Sequence, residues 1–173
     1  NADGIAKLRE LVCLRLQLIS PQLAQTMDGP VAGLDVPAVF DRPDTLDLLC
    51  KMSGGHVRNL MQLIQKAIDW TDTLPITAKA ASRAIEEARE TYRKTVQEHQ
   101  WSLLAAACHQ KQFLRDTEHF QLLFNRCLLE YRYYDENEEL QSWCNVHPLI
   151  QGIHRFQTEL AKVQHDASDE AAS

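Results

Sequence analysis

Ser53-Gly54-Gly55-His56-Val57-Arg58-Asn59-Leu60 separates two apolar-patterned segments of this 173-residue chain. Adjacent glycines give the backbone dihedrals that a Cβ forbids. A short segment, Leu46 to Met52, precedes them, and a longer helical one starts near His56. On the second, Val57, Leu60, Met61, Ile64, Ala67 and Ile68 recur at helical spacing and predict one buried stripe. Arg58 falls in the first turn but off that stripe, so its guanidinium is expected to project away from the core. The positive end of a helix favours acidic side chains. A cation there points to an anion that comes to meet it; the alternative is an ordinary solvated helix arginine.

Working outward, Gly4 to Ile19 reads as a helix with Asp3 as N-cap and Ile5, Leu8, Leu11, Val12 and Leu16 at three-four spacing. Residues 20–43 are rich in Pro, Gly and Asp and predict a long loop, anchored at its end by Val39-Phe40. Asp44 is the expected N-cap of a helix from Thr45 to Met52. Thr77 is the expected N-cap of one from Ala78 to about Val96, with Ala81, Ala84, Ile85 and Ala88 inward. Glu98 to Gln112 is helical, with Trp101, Leu104, Ala105 and Cys108 on one face. Asp116 or Thr117 caps a helix to about Leu128 whose predicted stripe is Phe120, Leu123, Phe124 and Cys127. There the period switches to two. Leu129, Tyr131 and Tyr133 are expected inward on a strand, with Asp135 to Glu138 as turn and Leu140 to Val146 as the returning strand. Tyr134 and Trp143 are expected on its outward side. A final helix follows His147-Pro148 with Ile150, Ile153, Phe156, Leu160 and Val163 inward, and residues 166–173 read as a disordered tail.

Met52 to Leu63 resembles the sensor-2 segment of AAA+ ATPases, whose helical lid carries a Gly-Gly-x-x-Arg turn. It is most similar to the lids of origin-recognition-type initiators and of the bacterial STAND-type signalling ATPases related to them. The resemblance implies that Arg58 reaches the phosphates of ATP held, with Mg²⁺, by an N-terminal ATPase core; His56, Gly54 and Gly55 are candidates to approach the same nucleotide. It covers residues 4 to about 90, including the Arg15-Leu16 ending of the first helix and the Ile76-Thr77 start of the last. Helix, helix, hairpin, helix then resembles a winged-helix domain, and Val146-His147-Pro148-Leu149 is similar to the end of its wing in the bacterial group. The expected architecture is a mainly α chain. It has a helical lid over 3–96, a small α+β winged helix with one β-hairpin over 97–165, and a tail from 166.

Composition is that of a soluble globular protein, 45% hydrophobic and 24% charged. No apolar run approaches the roughly 20 residues of a membrane span. The abrupt opening, with Asn1-Ala2 set aside as a cleavage scar, suggests a piece of a longer protein. Five dispersed cysteines with no metal-site spacing suggest a reducing cytoplasm and no metal site. The chain contains no P-loop, Gly-x-Ser-x-Gly elbow or His-Glu-x-x-His helix, so it is expected to be catalytically inert alone, within an ATPase when complete. His147, at a strand end, is expected to be structural.

For the winged helix two uses compete. Arg115, Arg126 and Arg132 are the candidate DNA contacts around the Thr117 helix. The turn Asp135 to Glu139 carries four carboxylates, which a phosphate backbone repels. Docking of a protein partner, of a second copy or of the ATPase core is therefore preferred. DNA binding by the same ATPase, or a stand-alone helical interaction domain, is the alternative.

Overall fold

The computed structural model describes residues 2–19 and 39–171 of the chain. Its elements, in order, are α1 (Ala2–Ile19), α2 (Pro43–Met52), α3 (Val57–Asp69), α4 (Ala78–Thr95), α5 (Gln100–Gln110) and α6 (Thr117–Phe124). Strands β1 (Leu128–Tyr134) and β2 (Leu140–Val146) follow, then α7 (Pro148–Gln151) and α8 (His154–Ala171). The described residues are thus mainly helical with one two-stranded antiparallel sheet, as the periodicities predict. The expected loop lies outside the described residues over 20–38. Among the described residues no helix is long and apolar enough to cross a membrane.

Two compact units divide between Ala88 and Arg89, inside α4. In the first unit the core is built from Leu8 and Val12 of α1, Leu46 and Leu49 of α2, Leu60, Leu63 and Ala67 of α3, and Ala81, Ala84 and Ile85 of α4. Phe40 and Ile76, both fully buried, form a parallel bridge in which the Ile76 N–H donates to the Val39 carbonyl at 2.7 Å. Asp41 locks that bridge to two helix starts, accepting from the Thr45 hydroxyl at 2.5 Å and the Ala78 N–H at 3.2 Å. The Thr45 hydrogen bond leads the causes that hold the Asp41 carboxyl below its usual range. Thr77 caps α4 as expected, its hydroxyl accepting from the Ala80 N–H at 3.2 Å.

Two helix starts in this unit shift by a residue or two, and one buried stripe narrows. Pro43 takes the first helical position of α2, where its missing N–H costs nothing. Arg42 becomes the N-cap and Asp44 moves into the first turn. Helix α1 begins at Ala2, so Asp3 also lies inside a first turn. On α3 the buried line runs through Leu60, Leu63 and Ala67, leaving Val57 and Ile68 exposed at the edges of the predicted stripe.

The core of the second unit comprises Trp101, Leu104 and Ala105 of α5, Leu122, Leu128, Cys144, Val146, Ile150, Ile153 and Phe156. Residues of β1 and β2 pair one to one from Leu128↔Val146 to Tyr134↔Leu140. His147 is fully buried, its Nδ1 accepting from the Leu149 N–H at 3.2 Å and its ring stacked on Tyr92 with centroids 5.0 Å apart. The expected last helix is broken at Gly152, where an added Cβ would lie 2.2 Å from the Arg89 guanidinium. Helix α8 then runs to Ala171, through most of the segment read as a disordered tail. Its Asp, Ala, Ser and Glu residues continue a helix whose start is anchored in the core by Phe156, and adding residues to a formed helix costs little.

Two burial phases differ from the sequence reading. In α6, His119 and Leu122 face the core, while Phe120 is 52% and Phe124 88% exposed. In β1 it is Leu128 that is buried with Cys144 and Val146, not the line of Leu129, Tyr131 and Tyr133. Pairing Tyr131 with Trp143 and Tyr134 with Leu140 puts Tyr134 and Trp143 on opposite faces of the hairpin. The neighbours are instead Tyr131 and Trp143, stacked at 4.4 Å.

Candidate functional site

Two places gather the candidate residues. The first is the turn between α2 and α3. Gly54 has φ 66° and Gly55 φ 83°, the left-handed region where a Cβ is strained. Ser53, fully buried, organises the turn: its hydroxyl donates to the Cys50 carbonyl at 2.7 Å and accepts from the Gly55 N–H at 3.3 Å. This polar anchor has no signature in the sequence. His56 is extended at the N-cap and exposed, and its side chain makes no capping hydrogen bond to α3. Arg58 follows within the first turn, exposed, and has no ion-pair partner among the described residues. Gly54, Gly55, His56 and Arg58 therefore lie on one continuous turn, with the cation presented to solvent.

Helix α3 is held to α4 on its far end by a polar cluster. The Lys66 ammonium pairs with Glu87, the Trp70 indole N–H donates to the same carboxylate at 3.2 Å, and the Arg83 guanidinium lies 5.2 Å over the Trp70 ring. These bonds, Lys66 first, hold the Glu87 carboxyl below its usual range. They tie the C-terminal end of α3 to α4.

The second place surrounds α6. Asp116 caps that helix, its carboxylate accepting from the His119 N–H at 2.8 Å and lying 2.9 Å from His119 Nδ1. These contacts hold the Asp116 carboxyl below its ordinary range, the backbone bond contributing most. The three candidate DNA contacts have three different settings. Arg115 is exposed, without an ion-pair partner among the described residues. Arg126 takes φ 57° to close α6, its N–H donating to the Leu123 carbonyl at 3.0 Å. Arg132 bonds Glu130 at 2.8 and 3.2 Å, which neutralises it. The exposed side of α6 carries Phe120 and Phe124, an apolar face ill-suited to a phosphate backbone.

Cys13, Cys50, Cys127 and Cys144 are buried free thiols and Cys108 is half-buried. Burial pushes Cys50 and Cys127 up to about 12, which keeps both protonated and unreactive at neutral pH. Among the described residues no three His, Cys, Asp or Glu side chains are grouped to hold a metal ion. Comparison with protein-family profiles, curated proteins and solved structures returns no match to this chain.

Proposed function

We propose that this chain is the C-terminal regulatory region of a cytoplasmic, bacterial AAA+ or STAND-type ATPase. The first unit acts as its helical lid and the second as a winged helix that docks a protein. The observation that carries the reading is the left-handed pair Gly54 and Gly55 opening α3, with Arg58 exposed in the first turn. A helix start already concentrates N–H donors and positive potential. Adding a guanidinium there favours a polyanion such as the phosphates of a nucleotide. The residues present fit that part and no more. Arg58 would contact phosphate, while the rest of the ATP and its Mg²⁺ belong to an N-terminal core. Bound ATP would supply the scissile phosphoanhydride; this chain's contribution is a cation whose position depends on lid closure.

Protein docking is favoured over duplex binding by the exposed Phe120 and Phe124, by the Glu130 partner of Arg132 and by the acidic turn. In the complete ATPase, Arg58→Ala should lower ATP turnover about tenfold or more, the usual range for removing a charge aimed at transferring phosphate. Thermal unfolding of the variant should match the parent. Turnover and nucleotide affinity equal to the parent would reduce Arg58 to a surface residue.

A further inference from the structure

The outer edge of β2 is open where the chain itself has begun to cover it. The Cys144 N–H donates to the Lys111 carbonyl at 2.9 Å, so it points away from β1 even though Cys144 is in register with Glu130. Outward-pointing main-chain groups recur at every second residue of a strand. The N–H and C=O of Ser142 and of Leu140 therefore face the same outer edge, and among the described residues nothing outside the hairpin bonds them. Lys111 makes one rung of a third strand and the chain then turns away. What remains is a cleft of about 180 Å³ lined by Lys111, Phe113, Arg115, Glu130, Ser142 and Trp143.

The charge of this cleft is opposite to that of the chain as a whole. Glu130 is neutralised by Arg132. The Lys111 ammonium bonds a neutral acceptor, Asn145 Oδ1, at 3.2 Å. Arg115 lacks an ion-pair partner among the described residues, so two cations face the cleft uncompensated in a chain of net charge −6. An open edge offers alternating N–H donors and C=O acceptors, which only another peptide backbone matches. A phosphodiester strand brings no donors to the Ser142 carbonyl.

We propose that this cleft receives an extended peptide segment of a partner protein, added as a strand against Leu140 to Ser142 with acidic side chains at Lys111 and Arg115. The proposal gives a partner chemistry to the docking role of the second unit and rests on that part of the reading alone. Main-chain pairing supplies affinity, and the two cations set which end of the peptide sits where.

The test uses the whole chain and two labelled hexapeptides, Thr-Val-Thr-Val-Glu-Glu and Glu-Glu-Thr-Val-Thr-Val, which bring the carboxylates to the cations in the two strand directions. At about 0.15 M salt fluorescence anisotropy should give saturable micromolar binding of one of them. N-methylation of alternate peptide nitrogens should weaken it about tenfold, the effect of losing a hydrogen bond or two. Ser142→Pro removes the same outward N–H, which an edge position tolerates, and Arg115→Ala removes a charge; each should weaken binding about tenfold as well. Failure of both peptides, or equal binding by methylated versions, overturns strand addition, and equal binding by lysine-for-glutamate versions overturns the acidic partner; either leaves docking elsewhere on the unit standing. A dimer in sedimentation that Ser142→Pro dissolves assigns the edge to a second copy and also overturns the proposal. Tight binding of labelled duplex DNA that Arg115→Ala abolishes overturns strand addition and protein docking together. Should Ser142→Pro fail to fold, the methylated peptides decide alone.

Discussion

Gly54 and Gly55 both hold left-handed backbone, at φ 66° and φ 83°. At Gly55 an added Cβ finds no atom within 4 Å, so its need for glycine is set by φ 83° and not by space. Gly55→Ala should therefore cost about 1–2 kcal/mol, the left-handed penalty for an L-residue, and urea unfolding reads it directly. A cost near zero would mean the turn relaxes, and the position of Arg58 would relax with it. The glycine pair and Arg58 were legible in the sequence because a backbone requirement and a misplaced charge both leave letters behind. Ser53 was not: a buried hydroxyl spanning Cys50 and Gly55 looks like any turn serine until its bonds are seen. Asp116 stands between, a readable cap whose grip on the His119 ring was not readable.

At the level of elements, the order of helices and strands followed from periodicity; the break at Gly152 and the helical end of α8 did not, and the burial of α6 and β1 differed in phase. In α6 the aromatic residues suggested the buried stripe. The side chain that turns inward is instead His119, held by Asp116 and stacked against Phe113 at 6.4 Å. With only eight residues, the helix ends before Cys127 can share its stripe. Hydropathy ranks Phe above His, but a histidine with its ring bonded carries little desolvation cost. Leu122→Ala should cost about 2–5 kcal/mol, and Phe124→Ser less than about 0.5 kcal/mol, by thermal or urea unfolding. The reverse order would restore the phase expected from sequence. The hairpin repeats the lesson. Val146 is inward, as expected, and pairing with Leu128 then fixes every other residue of β1. The run Tyr131 to Tyr134 has aromatics in both phases and could not show this by itself.

Over the whole molecule, the division between Ala88 and Arg89 leaves each unit with its own buried leucine, isoleucine and alanine layer. No composition change marks that place, because α4 continues through it with alternating Arg and Glu. Leu60→Ala and Leu104→Ala remove equally buried side chains, one from each core. Each should cost about 2–5 kcal/mol, and amide hydrogen exchange should register the loss chiefly in the unit that carries the substitution. Equal loss of protection throughout both units in each variant would mean that they unfold as one. A last consequence attaches to Lys111, which ends α5 at φ 59°, a conformation where glycine is the comfortable residue. Lys111 keeps that position at a standing conformational cost, and its ammonium is one wall of the β2 cleft. A laboratory lineage selected for heat resistance alone would drift toward glycine there, gaining rigidity while blunting whatever recognition the lysine serves. Thermostabilised descendants of this protein are thus poor material in which to look for its partner.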